Sequence, residues 1–196
     1  MRIIFMGNPE FAIPTLKSLI NSNHNIVGVV SNPPKPMGRG RKLSSTAVGS
    51  FAIDHKLNLI EPESLRSPEL NKNLSELEPD IFVVVAYKIL PKTLINIPKF
   101  GAINLHASLL PKYRGAGPIQ WSLMNGDKNT GITVFQIKPQ VDTGNILLQK
   151  KIKIRDEDNM YSLGMRLCEL GADLILKALD GIEGGQIKGK PQDPNL

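Results

Sequence analysis

The sequence predicts an α/β fold, a mainly parallel sheet with helices on both faces, and three observations lead there. Short apolar runs rich in Val and Ile recur at Arg2 to Met6, Val27 to Ser31, Ile81 to Ala86 and Ala102 to Leu105. Runs of that kind, without polar alternation, belong to strands covered on both sides. Between them Phe11, Leu16, Leu19 and Ile20 mark one apolar helical face, and Leu70, Leu74 and Leu77 mark another. Helices alternating with strands imply parallel pairing through right-handed crossovers. A chain of 196 residues, 41% hydrophobic and 21% charged, is also large enough to bury one sizeable core.

The first run turns at Gly7-Asn8-Pro9, too soon for a signal peptide, and no apolar stretch approaches the roughly 18 to 20 residues of a membrane helix. A cytoplasmic protein without membrane contact is expected. Only Gly7 stands where a dinucleotide-binding turn carries G-x-G-x-x-G, and Pro9 and Glu10 disfavour a pyrophosphate there, so a nicotinamide cofactor is not expected. The formal charge of +6 is unevenly spread: no carboxylate lies between Glu10 and Asp54, whereas Lys17, Lys35, Arg39, Arg41 and Lys42 do. Such a patch suits a polyanion such as RNA, and equally a solvated basic loop. Gly38-Arg39-Gly40-Arg41-Lys42 lacks the spacing of a Walker loop.

After Leu105 the rhythm changes. A loop from Ala107 to Pro118 is followed by a helix near Ile119 to Met124 and strands near Thr130 to Ile137 and Asn145 to Arg155. In the last strand Lys151, Lys153 and Arg155 alternate with Ile152 and Ile154, which leaves one face wet. Met160, Leu163, Leu167, Leu170 and Leu174 then describe an amphipathic helix within Asn159 to Asp180. Residues 181–196, with four Gly and two Pro, have the composition of a linker, so one domain over residues 1–180 is expected. The single cysteine, Cys168, lies in this helix and reads as a small buried hydrophobe.

The chemistry concentrates in Asn104-Leu105-His106-Ala107-Ser108-Leu109-Leu110-Pro111-Lys112-Tyr113-Arg114-Gly115. Asn104 and His106 are two residues apart, so they leave one face at the carboxyl end of a strand, where open α/β sheets hold ligands. An amide and an imidazole together supply an oxyanion donor and a proton carrier, as acyl transfer requires; a lone His is more often structural. Asp142, in Val141-Asp142-Thr143-Gly144, is the carboxylate candidate to orient His106, although the same sequence suits an ordinary tight turn. No G-x-S-x-G elbow exists to recruit Ser108, and His24 and His55 lack metal-ligand spacing, so no metal is expected.

These residues resemble the methionyl-tRNA formyltransferases, within the wider group of folate-dependent formyltransferases, over essentially the whole chain. Asn104-x-His106, Ser108-Leu109-Leu110-Pro111 and Asp142-Thr143-Gly144 match that group's signature, with 37 residues between Asn104 and Asp142. The resemblance implies a Rossmann-like formyltransferase fold and transfer of a formyl group from 10-formyltetrahydrofolate to the amine of methionyl-initiator tRNA. It implies that Asn104, His106 and Asp142 are catalytic and stabilise a tetrahedral intermediate. The folate would lie against Val85, Ala86, Tyr87, Ile89 and Leu90 and against Ser108, Leu109, Leu110 and Pro111. Lys35, Arg39, Arg41 and Lys42 look like the family's inserted basic loop for the tRNA acceptor arm, expected to be mobile and to order on phosphate, with Arg114 as a further contact. A monomer is expected, together with a C-terminal β-barrel to which residues 181–196 would lead. Asn8, Lys88 and Gly117 depart from the family's commoner Thr, Gly and Ala. A formyltransferase for a nucleotide-linked amino sugar, or a non-catalytic RNA-binding relative, would share part of the same signature.

Overall fold

The computed structural model describes residues 1–37 and 41–193. The chain divides into two compact units, Met1–Gly101 and Ala102–Leu196.

The first unit alternates strands and helices as expected: β1 (Arg2–Gly7), α1 (Ile13–Ile20), β2 (Asn25–Val30), β3 (Lys35–Met37), β4 (Lys42–Ser44), α2 (Ala47–Asp54), β5 (Leu59–Ile60), α3 (Pro68–Glu76), β6 (Ile81–Val85) and α4 (Lys92–Ile95). Four strands form a parallel array in the order β5, β2, β1, β6. Ile3 to Met6 of β1 and Ile81 to Val85 of β6 are buried, which is why both runs are apolar without alternation. Gly7 has a local reason unrelated to phosphate binding: a Cβ there would lie 2.9 Å from the Val85 carbonyl oxygen. α2 is capped by Thr46, whose hydroxyl accepts from the Gly49 N–H at 2.9 Å. α2, the two-residue β5 and the single turn α4 carry too little periodicity to be read from sequence.

The described residues on either side of 38–40 in the basic segment form a two-stranded ribbon. β3 and β4 pair antiparallel, with Lys35 opposite Ser44, and Lys35, Arg41, Lys42 and Leu43 are exposed on this ribbon. Paired backbone groups here satisfy donors and acceptors that the sequence pattern left unassigned. Arg39 lies outside the described residues.

The second unit contains β7 (Ala102–His106), α5 (Pro118–Met124), β8 (Asn129–Gln136), β9 (Ile146–Lys153) and α6 (Met160–Glu183), and its strands run antiparallel in the order β7, β8, β9. Lys151 and Lys153 on β9 and Arg155 beyond it are exposed while Ile154 is buried, matching the wet and dry faces expected. α6 begins with a capping box: Asn159 Oδ1 accepts from the N–H groups of Tyr161 and Ser162, and Ser162 Oγ accepts from the Asn159 N–H. The helix approaches the strands closely at Gly171, where a Cβ would lie 2.5 Å from a Leu105 methyl. Cys168 is buried, and desolvation pushes its thiol up. No helix among the described residues is long and apolar enough to cross a membrane.

The glycines after α6 are contact points. A Cβ on Gly181 would come within 2.3 Å of Ile187, and one on Gly189 within 2.7 Å of the Asn145 Cβ. Ile146 and Lys190 exchange both backbone hydrogen bonds at 2.8 Å. The small residues allow this segment, whose composition is that of a linker, to pack back on its own unit.

Candidate active site

Strand β7 carries Asn104 and His106 on one face, as the two-residue spacing requires. The His106 ring is almost wholly buried and fixed from several directions. Its Nε2 lies 2.8 Å from the Tyr113 carbonyl oxygen, and its Nδ1 lies 3.5 Å from Asp142 Oδ2. A carbonyl can only accept, so Nε2 bears the hydrogen, and Nδ1 is the nitrogen that faces Asp142. Phe135 meets the ring edge to face, with centroids 6.4 Å apart. Asp142 Oδ2 also accepts from the Gly115 N–H at 2.8 Å. His106 and Asp142 are therefore brought together, and the Asp-Thr-Gly segment is both a turn and the support of a carboxylate.

Asn104 is held differently. Its Oδ1 is buried and has no hydrogen-bond partner. A buried acceptor left open costs about 1–3 kcal/mol unless something else satisfies it. An amide with its carbonyl unpartnered, two residues before His106 on the same strand face, is an available polar group.

The segment Ser108 to Pro111 is fixed by polar groups that sequence reading passed over. Thr133, fully buried on β8, donates to the Ser108 carbonyl at 2.6 Å and accepts from the Leu110 N–H at 3.1 Å and from Gln149 Nε2 at 2.9 Å. Gln149 also donates to the Leu110 carbonyl, and Ser108 Oγ donates to the Lys112 carbonyl at 2.5 Å. Leu110–Pro111 is a cis peptide. Beyond it Tyr113, at φ +58°, aims its carbonyl at His106 while its hydroxyl donates to Asp127 at 2.8 Å. Lys112 donates to both Asp127 oxygens at 2.9 Å, and that contact raises the Lys112 ammonium above its usual range. Burial would raise the Asp127 carboxyl, but the hydrogen bonds from Lys112 and Tyr113 override it and hold Asp127 low.

The Arg114 guanidinium, exposed, donates through Nε and Nη2 to Gln192 Oε1. In the first unit Val85 is buried at the end of β6, Ala86 follows at φ +49°, Ile89 is 70% exposed and Leu90 is buried. The Tyr87 hydroxyl is buried without a partner, and desolvation pushes it up to about 12. Among the described residues no group of three His, Cys, Asp or Glu side chains is disposed to hold a metal ion. The supports of the site that sequence reading missed are backbone groups, such as the Tyr113 carbonyl and Gly115 N–H, and distant side chains, such as Thr133, Gln149 and Gln192. Neither kind leaves a local pattern.

The same fold occurs in phosphoribosylglycinamide formyltransferase from Bacillus halodurans, with a TM-score of 0.78 at 20% identity over 93% of this chain and 95% of that one. It occurs also in the N-formyltransferase from Helicobacter canadensis, solved in complex with folinic acid and dTDP-3-aminofucose, with a TM-score of 0.73 at 20% identity over 98% of this chain and 67% of that one. Residues 1–179 match the formyl transferase family, and the chain belongs to it. Among its relatives are the methionyl-tRNA formyltransferases of Thermodesulfovibrio yellowstonii, 51% identical over 97% of this chain, and Bacteroides fragilis, 44% identical over 98%. The chain spans 62% and 60% of the length of these two relatives.

Proposed function

We propose that this chain carries the formyl-transferring activity of a methionyl-tRNA formyltransferase, with 10-formyltetrahydrofolate as donor and methionyl-initiator tRNA as acceptor. The observation that carries the reading is His106 held between the Tyr113 carbonyl and the Asp142 carboxylate, on the same strand as the unpartnered amide of Asn104. The relatives at 44 to 51% identity support the choice of acceptor.

In this reading the methionyl amine attacks the formyl carbon, a C–N bond forms, and the bond from that carbon to the folate nitrogen breaks. Asn104 donates from Nδ2 to the oxygen that becomes anionic, and its open Oδ1 accepts from the incoming amine. Asp142 and His106 Nδ1 take up the proton the amine loses and return one, through water, to the departing nitrogen. An amine with a pKa near that of an N-terminus, about 7.7 to 8.0, is partly neutral at cellular pH and can attack without a covalent enzyme intermediate. Ser108 to Pro111 and the backbone of Val85 to Leu90 hold the folate, an apolar surface with a few polar edges. The rigid support of Ser108 to Pro111 by Thr133 and Gln149 favours a preorganised binding turn.

Lys35, Arg39, Arg41 and Lys42 contact the tRNA backbone, with Arg114 as a further contact, and residues 181–196 lead toward a C-terminal domain that shares in holding tRNA. The reaction needs no metal, and the protein works as a cytoplasmic monomer. The test offers 10-formyltetrahydrofolate with methionyl-tRNA, an amino-sugar nucleotide or glycinamide ribonucleotide and asks which acquires the formyl group. Methionyl-tRNA should, with binding that weakens as salt rises. Formylation of the sugar nucleotide alone would overturn the assignment.

A further inference from the structure

The segment after α6 reaches back to the turn that carries Asp142, and the contact is specific. The backbone bridge between Ile146 and Lys190 brings the chain to the turn, two residues before Gln192. Gln192 Nε2 donates to the carbonyls of Asp142, at 2.7 Å, and Gly144, at 2.8 Å. Its Oε1 accepts from Arg114 Nε at 2.9 Å and Nη2 at 2.6 Å. A guanidinium only donates and a carbonyl only accepts, so these four contacts admit one orientation of the amide. A primary amide is the neutral side chain that can serve both partners at once. Glutamate in its place would set a carboxylate oxygen against two carbonyls.

The turn it grips is one whose position matters. Asp142 sits at φ +51°, a left-handed conformation that few L residues other than Asn and Asp adopt readily. A Cβ on Gly144 would lie 1.5 Å from the Gln136 carbonyl, so β8 blocks retreat on that side. Arg114 precedes Gly115, whose N–H donates to Asp142 Oδ2. The Arg114–Gln192 pair thus grips both the turn bearing the carboxylate and the loop that feeds it a hydrogen bond. At 3.5 Å the contact between Asp142 and His106 Nδ1 has no slack, and a small drift of the turn removes it.

We infer that Gln192 is a positioning residue for the reaction: with Arg114 it fixes the Asp142 turn, and so the distance from the carboxylate to His106 Nδ1. The segment leaving α6 thereby helps set the geometry of the proton-carrying pair. The inference rests on the proposed use of His106 and Asp142 in formyl transfer, and its test is separable from that proposal.

The chain has three histidines, so the ring nitrogen signals of His106 can be assigned against His24 and His55 in a ¹⁵N-labelled sample. Gln192→Glu and Gln192→Met should both displace the His106 Nδ1 signal and leave those of His24 and His55 in place. In the transfer assay both should lower kcat by about tenfold to 10²-fold, the usual scale for a small misplacement, with KM for 10-formyltetrahydrofolate held within about twofold. Should either substitution unfold the chain, Gln192→Asn, which keeps the amide but falls one methylene short, takes its place with the same expectation. Unmoved His106 signals in the folded variants overturn the inference. If the unsubstituted chain formylates no methionyl-tRNA, the functional assignment fails, and the ring signals still decide the positioning role.

Discussion

Individual side chains in this protein are best understood by asking which of their polar atoms are satisfied. His106 has both ring nitrogens facing acceptors and Thr133 uses its hydroxyl three ways, whereas Asn104 Oδ1 and the Tyr87 hydroxyl are buried with nothing to bond. The two groups separate by context: Asn104 shares a strand face with His106, while Tyr87 lies two residues before the exposed Ile89 in a segment proposed to meet the folate. Removing the Tyr87 hydroxyl should therefore not harm the fold. Tyr87→Phe is expected to leave thermal stability unchanged or to raise it by up to about 1 kcal/mol, because an unsatisfied buried hydroxyl is a cost and not a contact. A spectrophotometric titration should show one tyrosine ionising only near pH 12, absent from Tyr87→Phe. The placement of Asn104 and His106 on one strand face, and of Asp142 in a tight turn, was legible because two-residue spacing and an Asp-Thr-Gly sequence are local patterns. Gln192 was not, since its partners lie 48 to 78 residues away.

Elements divide the same way. Strands β1, β6 and β7 and helices α1, α3 and α6 follow from apolar runs and helical spacing, with ends displaced by a few residues. The paired strands β3 and β4 and the short α4 did not, because three or four residues carry too little pattern to distinguish strand, helix and loop. Asn159 is an example of a boundary the sequence marked correctly: the expected start of the last helix is its N-cap, satisfying two backbone donors. Asn159→Ala should destabilise the chain by about 1 kcal/mol, read as a lowered melting temperature without loss of donor binding. Asp158 beside it joins α6 to the preceding strand through Arg166, which also donates to the Lys153 carbonyl.

At the scale of the molecule, the depressed carboxyls Asp127 and Asp158 predict how the fold meets acid. Burial would raise Asp158, but the Arg155 N–H, the Ser162 hydroxyl and the Arg166 guanidinium override it. In the unfolded chain both carboxyls return to ordinary values near 3.8 and bind protons first as pH falls. Their contribution to stability is therefore complete above that value and lost as pH drops through the lower folded values. The melting temperature should stay level above about pH 5 and decline below pH 4, with a shallower decline in Asp158→Asn. The α/β class was legible because buried parallel strands leave continuous apolar runs; the antiparallel second unit was not, since strand direction leaves no mark on composition. The central claim is that Asn104, beside the His106–Asp142 pair, stabilises charge developing on a formyl oxygen. The most direct test is single-turnover formyl transfer from 10-formyltetrahydrofolate to methionyl-tRNA by Asn104→Ala. The account predicts a rate lower by about 10²- to 10³-fold with donor affinity unchanged, and a rate equal to that of the unsubstituted chain would contradict it.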